Sequence, residues 1–167
     1  MRKNALQSLL AQKSWANKEL FEILTKVNPV EQAESLITVI RTLNHIHVVD
    51  QIFRAHLVGA LHGYEATNTV ATPALNELHA AVEETDTWFE NYAASVSDAQ
   101  LHERISFDFT DGDAGAMTRQ EMLLHVITHG CYHRGNVGQV LKSIAIAPPR
   151  DLYTKFLHLQ EPSRRQA

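Results

Sequence analysis

Three histidines, His125, His129 and His133, follow one another at four-residue steps in this 167-residue chain. On a helix that step puts neighbouring side chains on one face, close enough for two imidazoles to chelate one divalent ion. Spacing alone does not choose the pair. At about 100° per residue, Met122, Leu123, Val126, Val137, Val140, Leu141 and Ile144 make the apolar stripe of this segment. His133 falls inside the stripe, His129 at its edge and His125 well to the side. His125 and His133 are also roughly 12 Å apart along the axis, which strains any arrangement with all three on one ion. The chelating pair is therefore read as His129 and His133, with His125 behind the ligands or on the surface. The plainer reading, flank residues or satisfied core histidines, has similar weight on spacing alone; burial direction tilts the balance toward ligands.

A third ligand must come from another helix, where His45, His47 and His56 are available. From His45 to Leu57 the polar side is His47, Asp50, Gln51 and Arg54; Ile46, Val48, Val49, Ile52, Phe53 and Leu57 form the other. His45 and His56 lie near the centre of the apolar side, but they are roughly 16 Å apart and cannot serve the same ion. His45 is the candidate, and a lone buried imidazole bonded to a carbonyl is its bland alternative. Three neutral imidazoles leave a divalent ion its full charge and an open position, as in catalytic zinc sites. They also suit nickel, copper and iron. Tyr132 and Arg134 flank His133 and are candidates for orienting an anionic substrate or thiol. Ordinary packing for Tyr132 and a surface or subunit ion pair for Arg134 are the simpler readings. Asp50 reads as a surface charge beside Arg54, and Trp15 as core. Cys131 points away from the stripe of His133 and is set aside as ligand or nucleophile.

Helices must position these groups. Apolar residues from Leu6 to Val27 recur at three- and four-residue steps, and Asn28-Pro29 ends that helix. A second runs from Val30 to about Leu61. Its first half carries Leu36, Ile40 and Leu43 on the side that later turns polar, which implies a second buried face against another subunit or the chain tail. Pro73 opens a third helix, to about Ser97. Ile105, Phe107 and Phe109 alternate with polar residues before the turn-forming run Thr110 to Gly115, a hairpin signature. Thr118 with Glu121 is a capping box for a fourth long helix to about Ala145, stopped by Pro148-Pro149; a short helix over Asp151 to His158 packs the tail. The expected fold class is all-α: a single domain over residues 1–167, a four-helix bundle with a short hairpin-like segment before its last long helix.

A net charge of -4 gives no basic footprint for nucleic acid. One cysteine excludes an intramolecular disulfide. The basic residues near Met1 precede no continuous apolar signal core, and no window approaches the ~18 apolar residues of a membrane span. A cytoplasmic protein without nucleic acid or membrane as partner is the expectation.

Leu43-Asn44-His45 followed by Val49-Asp50, and Leu124 to Val137 with its core His129-Gly130-Cys131-Tyr132-His133-Arg134-Gly135, resemble the two histidine motifs of the DinB-like metalloprotein family. Trp15-Ala16-Asn17 resembles its early tryptophan motif, and Ala147 to Leu152 its closing segment. The resemblance implies a four-helix bundle, usually homodimeric, with a divalent metal ion, zinc or nickel, on His45, His129 and His133. Related families include transferases and isomerases that use low-molecular-weight thiols. The resemblance thus points to a thiol S-transferase or related enzyme acting on a small-molecule electrophile, with a non-catalytic, stress-associated metal-binding bundle as the alternative.

Overall fold

The computed structural model describes residues 4–165. Helix α1 spans Ala5–Leu24, opened by a capping box between Asn4 and Gln7. Helix α2 spans Ala33–Val58 and stops at Gly59, whose left-handed φ of 69° suits a residue without a side chain. It begins later than the periodicity predicts because the Asn28 side chain accepts from the Val30 and Glu31 amides, holding that segment in a turn. Helix α3 spans Leu75–Ser95. It ends before Ser97 because Ser97 caps a separate short helix, α4 (Asp98–Leu101), which periodicity does not announce.

Strands β1 (Arg104–Asp108) and β2 (Ala114–Thr118) form the expected antiparallel hairpin, with Phe107 opposite Gly115. The Phe109 amide donates to the Asp113 carbonyl to close the turn, and Gly112 takes a φ of 91° within it. Thr118 then caps α5 (Arg119–Ser143) by the capping box with Glu121 that the sequence announces. A tail helix α6 (Tyr153–Gln160) and a 3-10 turn (Pro162–Arg164) follow. The fold is mostly helical with one small two-stranded sheet. Among the described residues no helix is long and apolar enough to cross a membrane.

Helix α1 packs on α3 and α5, and α2 packs on α5 and α3. Their apolar faces make two separate cores. One, towards the hairpin, gathers Leu10, Val49, Phe53, Phe89, Met122 and Val126. The other gathers Leu20, Phe21, Leu43, Ile46, Val82 and Val137. Ile40 and Leu43 are therefore buried in a core shared with α1, α3 and α5 of the same chain, with no need of a second subunit or the tail to bury them. Trp15 is not core: half-buried, it packs on Phe156 of α6 with ring centres 5.8 Å apart and carries the Lys155 ammonium over its face.

Candidate metal centre

Midway along α2 and α5, where the two helices pack together, His45 meets His129 and His133. One ring nitrogen from each lies within 4.8 Å of the others. The ring centres are 4.5 Å apart for His129 and His133, 4.7 Å for His45 and His133, and 4.9 Å for His45 and His129. Nδ1 of His45 lies 2.7 Å from the Thr67 carbonyl oxygen. A carbonyl only accepts, so that nitrogen carries the proton and Nε2 turns its lone pair inward. There it faces Nε2 of His129 at 3.0 Å. His129 has no such brace, for its own Nδ1 is buried without a hydrogen-bond partner among the described residues.

Two of the three imidazoles are biased toward the neutral form. Burial, then the neighbouring His133, His45 and His125 and the Lys13 charge, push His129 down to about 3. Burial and then His45 lower His133. Convergent imidazoles that turn one ring nitrogen each toward the others, one of them braced by a carbonyl, are a donor set that a divalent cation fits.

The remaining candidates are distributed around this cluster. His125, one turn before His129, stacks on it at 5.4 Å and lies 4.6 Å from Phe53, without joining the converging nitrogens. Tyr132 is 68 % exposed, its ring edge-on to His133 at 5.0 Å. Arg134 turns to the interior instead: it is 5 % exposed, donates to Asp151 at 2.7 Å and to Asn17 at 3.2 Å, and its ion pair is internal. Asp50 is likewise no surface charge, being 2 % exposed and bound to the Lys13 ammonium at 2.7 Å. Half-buried His47 does not lie out among solvated charges; burial, then Lys13, lowers its pKa. Cys131 is exposed, off the cluster.

A cavity of about 210 Å³ adjoins the cluster, with His45 and His129 in its wall. The hairpin covers it with Phe107 and Phe109, and α2 lines it with Phe53 and His56. A larger cavity of about 270 Å³, between α1, α5 and the Pro148-Pro149 segment, shares no wall with the histidines. The sequence reading missed Thr67, the aromatic cover, and the partners of Asp50. A signal existed for the last: Lys13 and Asp86 fall at core-facing steps between Leu10 and Leu20 and between Val82 and Phe89.

Fold and site together define a mostly helical protein whose second and fifth helices fit a three-histidine metal site. The DinB family model matches residues 1–165, and the chain belongs to that family. No curated protein matches it.

Proposed function

We propose that the chain is a metal-dependent enzyme, a four-helix bundle holding one divalent cation, zinc or nickel, on His45, His129 and His133, and joining a low-molecular-weight thiol to a small electrophile. The observation that carries this reading is the convergence of three imidazoles beside an open apolar cavity, with His45 and His129 in its wall. A structural site would have no use for that cavity. When bound, the ion supplies Lewis acidity, lowering the pKa of a thiol that reaches it. In the transfer the thiol gives its proton to solvent, its sulfur forms a bond to carbon, and the leaving group departs from the electrophile with the electron pair of the broken bond.

The chain's residues do the positioning. Thr67 holds the His45 ring in one tautomer, and the aromatic cover keeps water off the electrophile. The same reading takes a homodimer in the cytoplasm as the working unit, with small molecules as its partners. Metal analysis of the purified protein, with turnover measured for several thiols against a panel of electrophiles before and after chelation, tests it. Chelator-sensitive turnover is the expected result. A metal-replete protein inert across the panel overturns the enzyme and leaves the non-catalytic metal-binding bundle.

A further inference from the structure

The cavity beside the histidines has a size and lining that specify what enters it. About 210 Å³ is modestly larger than the 150 Å³ apolar cavity that accommodates benzene, so it holds one six-membered ring with a short substituent. Its aromatic walls meet at the tilted angles that rings prefer. Phe53 and Phe107 lie 6.1 Å apart at 62°, Phe107 and Phe109 4.9 Å apart at 71°. Among the described residues no Asp, Glu, Lys or Arg lines it. In the metal-free protein an ionised group inside would find no Asp, Glu, Lys or Arg to pair with.

The outer wall is built for this shape. Gly115 stands opposite Phe107, and a Cβ there would lie 2.7 Å from Cε2 of Phe109 and 3.0 Å from Cζ of Phe107. Its lack of a side chain gives the two rings room to fold back over β2. Phe109 is 46 % exposed, which a ring at the rim of a binding cavity explains better than a ring serving the core.

We infer that this cavity binds the uncharged six-membered ring of a small molecule, an aryl group above all, and that Phe107 and Phe109 over Gly115 set its size limit. The ring's identity as part of the electrophile rests on the proposed enzyme; its binding does not. Benzyl alcohol is the probe. Titrated into the full chain and followed by amide chemical shifts, it should perturb residues 49–56, 107–110 and 125–129 together, with or without chelator. In the presence of chelator, benzoate, which adds a charge, and 2-naphthylmethanol, which adds a fused ring, should each bind about tenfold more weakly or worse. Phe109→Ala removes part of the outer wall at a half-exposed position, so the melt should stay that of the wild type. In this variant 2-naphthylmethanol should bind as well as benzyl alcohol.

Scattered shifts, equal affinity for benzoate, or unchanged size discrimination in Phe109→Ala overturns the inference. The two readings fail separately. Ring binding in a protein that takes up no metal keeps the cavity and removes the enzyme, whereas metal uptake without ring binding removes the cavity's role alone.

Discussion

Helices α2 and α5 each carry two polar clusters at the same height, facing different ways. On one side His45, His129 and His133 converge beside the aromatic cavity. On the other, Asp50 and Arg134 enter the interior to meet Lys13, Asn17 and Asp86 from α1 and α3. The Lys13 ammonium sits 2.7 Å from Asp50 and 2.6 Å from Asp86, Asn17 bonds both Asp86 and Arg134, and Arg134 reaches Asp151, which Gln12 also bonds. Burial pulls the Lys13 ammonium down, and the two carboxylates outweigh it, holding it above the ordinary lysine value. On α1, α3 and α5 these residues fall between the two apolar cores, and on α2 Asp50 follows Val49 at the edge of the hairpin-side core. The difference is one of saturation. The charged layer satisfies most of its polar atoms internally, as a structural network must, while the histidines turn one ring nitrogen each toward a shared point.

If the charged layer is structural, its largest effect appears when its cation is removed. Lys13→Met leaves Asp50 and Asp86 buried without their counter-ion and should cost about 3–5 kcal/mol in urea denaturation at neutral pH. Adding Asp50→Asn and Asp86→Asn to Lys13→Met should recover most of the loss, because the surviving groups are then uncharged. A Lys13→Met protein as stable as the wild type would collapse the distinction between the two clusters.

The histidine cluster should respond in metal affinity rather than in fold. His133→Ala, at a partly exposed position, is expected to weaken zinc binding by more than the roughly 100-fold that marks loss of a strong outer partner. The apo protein should melt near the wild-type temperature. His125→Ala removes a stacked ring and no converging nitrogen, so its loss should stay below roughly tenfold. Competition with a chelating dye measures both, and the reverse ranking would put the second ligand of α5 one turn before His129.

The unequal legibility of the two clusters has a physical cause. His129 and His133 are four residues apart on one helix, and His45 faces them by the same periodicity, so the cluster could be read helix by helix. The hairpin and the box of Thr118 and Glu121 are equally local, and both were readable. Asp50 was misread because α2 taken alone offers only Arg54 as a neighbour. Its true partner, Lys13, is 37 residues away on a helix whose register against α2 no local pattern encodes. Arg134 fails in the same way, since its partners Asn17 and Asp151 lie on α1 and in the tail. Thr67 sits in the loop after α2, and its carbonyl reaches His45 only because the loop folds back. Contacts set by one helix were legible; contacts set by the packing of several were not.

Two glycines of α5 sharpen the contrast at smaller scale. A Cβ on Gly130 would lie 3.1 Å from Nη1 of Arg134 and 3.4 Å from Cε of Lys13, whereas one on Gly135 would meet nothing within 4 Å. In a helix interior alanine ordinarily gains about 0.5–1 kcal/mol over glycine, and Gly135→Ala should show that gain as a higher melting temperature. At Gly130 the same substitution must displace the Arg134 guanidinium, which Asp151 and Asn17 hold, while Lys13, held by Asp50 and Asp86, fills the space beside it. Arg134 cannot yield without loosening its bonds to Asn17 and Asp151, so Gly130→Ala should lose about 1–2 kcal/mol net. Thermal melts of the two single variants should therefore shift in opposite directions. A gain at both positions would mean that the charged layer is soft enough to repack, and that its closed pattern of bonds is not what separates it from the histidine cluster.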